Sequence, residues 1–294
     1  MKQSIKRIIC SICILALFVP LISSLTFAAT PSPRSTVVSE YDYITLVRSM
    51  SPEELVSAPI NSEEIELLLS DAPERELLKR KEKTDKELFQ LYGYNSEEIA
   101  LLRAYQGEAI DSNPSLASLT ATLTISQVIA IFVTSSRVDM KIVWKWDHCP
   151  IFTAKDVFAV YWSPTFNGNN GNMRLNISKS SHIVTYTYGT ASFTKTYSFT
   201  QVLPNSAAKV EFAMDHQSDA WASTGTATLY FEATTGSPAL NEMDMVFAYG
   251  HTTVDFAPSV SFPIGGGISF GFATHEEASR SGYVSVERRV WVNN

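Results

Sequence analysis

The hydrophobic period of this chain changes once, near residue 116, from helical to strand-like. That change limits the folds open to it. Met140, Ile142, Trp144 and Trp146 alternate with Lys141, Val143 and Lys145. Val210, Phe212 and Met214, then Ala227, Leu229 and Phe231, then Met243, Met245 and Phe247 repeat the pattern. Side chains on a strand point alternately to its two faces, so each run predicts a strand with one buried face. Residues 157–162 are apolar on both faces and predict a central strand. Residues 181–188 and 192–200 flank Gly189-Thr190 and predict a hairpin with a tight turn. The turn-rich stretches 167–171 and 235–238 separate the rest, giving about ten strands within 116–294. No helical pattern is interleaved among them, so the inner faces must be covered by a second sheet. The prediction is an antiparallel β-sandwich, with a barrel as the alternative.

Residues 40–110 follow a different pattern. They hold 16 acidic and 8 basic residues and repeated helix start signals. Ser51-Pro52-Glu53-Glu54 places a capping Ser, a Pro at the first helical position and a Glu three residues after the cap. Asn61 and Asn95 open similar sequences, and Asp71 with Pro73 opens what reads as one longer helix over 73–91, closed by Gly93. The fold class is therefore α+β, an acidic helical region followed by the sandwich. The helices could pack on the sandwich or serve as a pro-segment or spacer.

The first 29 residues carry Lys2, Lys6 and Arg7, then an apolar run, then small residues ending at Ala28-Ala29. This is the layout of a secretory signal peptide. It predicts cleavage after Ala28 or Ala29, an extracellular protein and no membrane span after cleavage. Residues 30–39 read as a flexible linker. Removing residues 1–29 leaves 265 residues and takes the net charge from −7 to −10. So acidic a chain is poorly suited to nucleic acid. Only Cys149 lies outside the signal, so no intrachain disulfide is expected and the thiol reads as a small buried hydrophobe. The C-terminal residues carry no sorting motif, which favours free secretion over attachment to the wall.

Residues 91–99, then Leu101-Leu102-Arg103-Ala104-Tyr105, Trp144-Lys145-Trp146, residues 156–163 and Tyr249-Gly250-His251 together resemble uncharacterised secreted proteins of Gram-positive, Clostridium- or Bacillus-like bacteria. The resemblance implies secretion and the order helices-then-sheet. It implies no activity.

Each candidate for chemistry has a plainer structural reading. Gly267-Ile268-Ser269-Phe270-Gly271 matches the serine-hydrolase pattern, but the alternation of Ile268, Phe270 and Phe272 is that of a strand, and no helix follows. His275-Glu276-Glu277 lacks a second His one helical turn on, and the five His show no ligand spacing, so no metal is expected. Asp215 and Asp219 read as a turn before they read as a calcium loop. His251 lies four residues from Asp255 and near Asp244; in strand geometry these read as surface polar residues. Trp144 and Trp146 share a face with Met140 and Ile142 and are assigned to the core. Trp221, in the polar segment Asp219-Ala220-Trp221-Ala222-Ser223, is the candidate for an exposed ligand-binding aromatic.

These observations predict a secreted, non-enzymatic binding module with no cofactor. Its expected partner is a cell-surface glycan or cell-wall polymer, or else a protein. One alternative is a secreted hydrolase whose site is assembled from distant residues, which would bring His251 together with Asp244 or Asp255. Another is a pore-forming protein with residues 30–110 as its pro-region, the hairpin at 181–200 crossing the membrane.

Overall fold

A computed structural model describes residues 35–291, except 59, 61, 169, 217–218, 252–257, 262–268 and 273–282. The strands in chain order are β1 (Ser35–Ser39), β2 (Thr122–Thr134), β3 (Arg137–Trp146), β4 (Lys155–Phe166), β5 (Met173–Leu175), β6 (Ser181–Tyr188), β7 (Ala191–Tyr197) and β8 (Thr200–Leu203). After them come β9 (Ala207–Ala213), β10 (Asp215–His216), β11 (Ala220–Ala233), β12 (Leu240–Gly250), β13 (Pro258–Ser261), β14 (Ser269–Phe272) and β15 (Tyr283–Trp291).

The fold is α+β, and its strands make two principal antiparallel sheets. An eight-stranded sheet runs β1-β2-β3-β11-β6-β7, with β5 and β10 also paired to β11, and a five-stranded sheet runs β15-β12-β4-β9-β8. The both-faced apolar run at 157–162 lies in β4, the middle strand of the second sheet. The hairpin at Gly189-Thr190 forms as β6 and β7, pairing Tyr188 with Ala191 within the larger sheet. The two sheets meet face to face through the alternating residues. Trp144 of β3 stacks on Phe212 of β9 with ring centroids 5.3 Å apart, and Phe158 of β4 stacks on His182 of β6 at 5.6 Å. Met140, Ile142, Trp144, Phe158, Val160, Trp162, Val210, Phe212, Leu229, Phe231, Met245 and Phe247 are all buried in this one core. Each such large side chain contributes about 1.5–3 kcal/mol by leaving water. Trp144 fits because it lies across from Gly225 of β11, where a Cβ would come within 2.3 Å of the indole.

Several helix starts form as the sequence indicates. Ser51 and Asn95 each make a capping box, opening the helices Pro52–Ser57 and Ser96–Ala104, and Gly93 ends its turn in the left-handed region at φ 82°. The single helix expected over 73–91 is instead divided. Ala72–Lys81 stops, Thr84 caps a new start with Glu87, and Leu88–Tyr92 form a wider turn. The Thr84 hydroxyl and Glu87 carboxylate offer the backbone a helix start more favourable there than continuation. A further helix, Glu40–Ser49, is capped by Ser39. Ser35–Ser39, within the expected linker, is strand β1, pairing with β2 from Ser35↔Ser126 to Ser39↔Thr122; the β-branched run Thr36-Val37-Val38 suits that role.

The helical region lies against the sheets and belongs to the same compact unit, Arg34–Asn294. Arg80, 1% exposed, is the main tie: its guanidinium donates to Tyr94 Oη and to the carbonyls of Cys149 and Pro150, between β3 and β4. No helix among the described residues is long and apolar enough to cross a membrane.

Candidate functional site

The sheet register places an aspartate, a tyrosine and a histidine at one end of the core. On β12, Met243, Met245, Phe247 and Tyr249 face inward, and the same parity continues to His251 just past the strand. On β4 the inward positions Trp162, Val160 and Phe158 lead back to Asp156. The two strands pair antiparallel with Gly250 opposite Val157, which brings the next residues, His251 and Asp156, face to face. Asp156 is 0% exposed and His251 6%. Asp156 Oδ1 lies 2.9 Å from His251 Nδ1, its Oδ2 accepts from the Tyr249 hydroxyl, and Trp146 Nε1 donates to that hydroxyl at 3.1 Å.

The fourth member comes from the other end of the chain. β1 continues into the Glu40–Ser49 helix, and the first residue of that helix turns into the protein. Glu40 Oε2 accepts from the Ala121 amide at 2.8 Å, and both of its oxygens accept from the Ile151 amide at 3.0 and 3.1 Å. Its Oε1 stands 3.9 Å from His251 Nε2, outside hydrogen-bond reach. His251 Nε2 is thus buried with no hydrogen-bond partner among the described residues.

The charges follow from these distances. Burial by itself pulls the His251 pKa down, but the charge and hydrogen bond of Asp156, with Glu40 and Glu64 beyond, outweigh it and hold the imidazole at about 9. Burial raises the Glu40 pKa against the opposing charge of His251 and its backbone amides. At neutral pH His251 is an imidazolium. One N–H is held by Asp156, and the other points away from it.

His251 lines a small cleft together with Val38, Ile44, Leu68, Leu123, Trp146 and Phe152, with Ser39, Glu40 and Tyr43 as its other polar members. The walls come from both the helical region and the sandwich. Ser39 Oγ is taken up by the Asp42 amide it caps, and Tyr43 donates to Glu64 at 3.3 Å.

The residues singled out in the sequence fare differently. Trp221 is not an exposed platform: it is 5% exposed. Residues 220–223 of that polar segment belong to β11, and the turn at Gly93 of the helical region lies over Trp221. Trp221 lies beside Gly93, and the adjoining backbone bonds to the sheet, with Cys149 N–H donating to the Tyr92 carbonyl and Gly189 N–H to that of Gln90. His251 is not a surface residue, because the inward parity of β12 runs through it. It does not meet Asp244, which pairs with Ser163 and Arg289 further along β12; Asp255 lies outside the described residues. Ser269 opens strand β14, paired with β13; His275-Glu276-Glu277 lie outside the described residues. Trp144 and Trp146 are core residues, and Cys149 is buried with its thiol pushed up to about 12 by burial. Among the described residues no three His, Cys, Asp or Glu side chains are grouped to hold a metal ion. Sequence reasoning missed Glu40 and Asp156. Asp156 carried a signal, a carboxylate at an inward position of a strand buried on both faces. Glu40 carried none.

No family model matches this chain, and no curated protein matches it. Among solved structures it is similar to AvmM, which catalyses macrocyclization in alchivemycin A biosynthesis, at 5% identity and TM-score 0.30, over 58% of this chain and 88% of that one. It is also similar to a structure concerned with Streptococcus parasanguinis adhesion by Fap1 fimbriae, at 9% identity and TM-score 0.21, over 58% and 80%. Likenesses this distant carry no argument about function.

Proposed function

We propose that this chain is a secreted, non-enzymatic binding module whose ligand enters the cleft between the N-terminal helices and the sandwich. The observation that carries this reading is the unpaired His251 Nε2 beside an apolar cleft. Apolar walls around a small number of placed polar groups are the usual make-up of a small-molecule site. A glycan is less suited to it, since the aromatic that would have stacked on sugar, Trp221, is buried. The signal-like residues 1–29 support the extracellular placement.

One observation favours a hydrolase instead. Asp156 holding His251 by Nδ1, with Nε2 free, is the orientation of an acid–base pair. Two facts weigh against it. A general base must be unprotonated near the working pH, whereas this imidazole keeps its proton to about 9. No hydroxyl among the described residues is within hydrogen-bond reach of Nε2.

The test uses ethylbenzene as an apolar probe and saturation-transfer NMR on residues 30–294. The expected result is transfer to the probe that is lost in Val38→Phe, which narrows the cleft, at an unchanged melting temperature. Absence of transfer, or equal transfer in the variant, overturns the cleft as a binding site. Protein recovered from the medium of a secreting host should begin at residue 29 or 30; retention of residues 1–29 overturns the placement.

A further inference from the structure

We infer that the cleft takes an uncharged, mainly apolar molecule bearing one carbonyl oxygen, which accepts a hydrogen bond from His251 Nε2–H. The inference rests on the cleft being a ligand site and adds the chemistry of the ligand. The polar groups around the cleft are already engaged: the Glu40 carboxylate with the Ala121 and Ile151 amides, Ser39 Oγ with Asp42 N–H, and the Tyr43 hydroxyl with Glu64. His251 Nε2–H is the donor left over, 6% exposed as a residue and bordered by apolar side chains. A buried donor without an acceptor costs free energy, and a ligand oxygen removes that cost.

Charge selects among oxygens. Asp156 and Glu40 stand on either side of the imidazolium, and Glu64 adds its field from the Ser62–Leu69 helix. An anionic ligand would place its charge beside Glu40. A cationic ligand would meet the N–H of an imidazolium. An uncharged acceptor meets neither repulsion. The rest of such a molecule lies against Ile44, Leu68, Leu123, Trp146 and Phe152.

Four probes of nearly the same shape separate these cases: acetophenone, α-methylstyrene, benzoate and 1-phenylethylamine. Only the first combines an acceptor with no charge. The expected result is acetophenone binding about ten-fold or more tighter than α-methylstyrene, about 1.4 kcal/mol. The preference should vanish as the pH rises through about 9, where Nε2 loses its proton, with α-methylstyrene binding unchanged. The pH series tests His251 in the wild-type fold, so it does not depend on a variant that fails to fold. Equal binding of acetophenone and α-methylstyrene sinks the carbonyl but leaves the cleft as a ligand site. Tighter binding of benzoate or of the amine overturns the class. Exclusion of all four overturns this inference together with the cleft.

Discussion

His182 and His251 are both buried in the sandwich, yet they hold opposite charge states. His182 sits mid-core. Trp144 Nε1 donates to its Nε2 at 2.8 Å, Phe158 stacks on it and Phe212 meets it edge-on. Burial alone acts on it and pushes its pKa down to about 3, so it stays neutral. His251 lies at the end of the same core, against Asp156 and within 3.9 Å of Glu40, and stays charged to about 9. Burial is nearly equal at the two sites, so the neighbouring carboxylate decides the charge. The comparison also separates their roles. The mid-core histidine is an acceptor for an indole. The other lines a cleft and has one ring nitrogen without a hydrogen-bond partner among the described residues.

Removing the carboxylate tests the comparison hardest. Asp156→Ala takes from His251 its nearest counter-charge and from the Tyr249 hydroxyl its carboxylate acceptor, leaving that hydroxyl Met214 Sδ at 3.6 Å. Breaking a buried pair by deleting one partner costs about 3–5 kcal/mol. Urea denaturation at pH 7 should show a loss of that size. In the variant His251 should also resemble His182, its pKa falling below the ordinary 6.5. A loss under about 1 kcal/mol would mean that the pair is solvated and that burial is not what sets its charge.

The two histidines also predict opposite pH limbs. For His182 the unfolded chain holds a proton between pH 6.5 and about 3 that the folded chain does not. Its contribution is therefore intact above 6.5 and lost as the pH falls toward 3. For His251 the folded chain holds the extra proton between 6.5 and about 9. Its contribution is intact below 6.5 and lost as the pH rises through 9, and the raised pKa of Glu40 acts in the same direction. Each limb has a slope of at most about 1.4 kcal/mol per pH unit. His182→Gln, which keeps an acceptor for Trp144, should flatten the acid limb and leave the alkaline one. NMR titration of the ring protons reads each site directly, and either histidine titrating near 6.5 in the folded protein breaks the comparison.

Much of this was legible in the sequence, and the reasons it was not legible everywhere are physical. The sandwich was readable because the period of two runs through β3, β9, β11 and β12 with few exceptions. Half of the site was readable by the same rule. Extending the inward set Met243, Met245 and Phe247 by two steps and then four reaches Tyr249 and His251, and extending the inward set of β4 backwards reaches Asp156. The reading of His251 as a surface residue stopped that count too soon. Glu40 was not readable. It reaches the site through the pairing of β1 with β2, Ser39↔Thr122, across more than 80 residues of intervening chain, and no local pattern specifies such a partner. Trp221 was misread for a related reason: polar neighbours along the strand say nothing about a covering segment from elsewhere, here the turn at Gly93.

Tyr249→Phe gives the smallest expected effect and sharpens the assignment of charge. Its hydroxyl donates to Asp156 Oδ2 and accepts from Trp146 Nε1, so the variant loses both bonds. The carboxylate keeps His251 on its other oxygen. A stability loss of about 1–3 kcal/mol is expected at pH 7, the range for leaving a buried polar group unpaired. The His251 midpoint should remain near 9, because the charge that raises it is still 2.9 Å away. Loss of the hydroxyl removes a hydrogen bond that disperses the carboxylate charge, so any change should be upward. A midpoint that instead dropped toward 6.5 would show that Tyr249, by holding Asp156 in place, determines the charge of the site. His182 would then differ from His251 in the ordering of a neighbour, not in its presence.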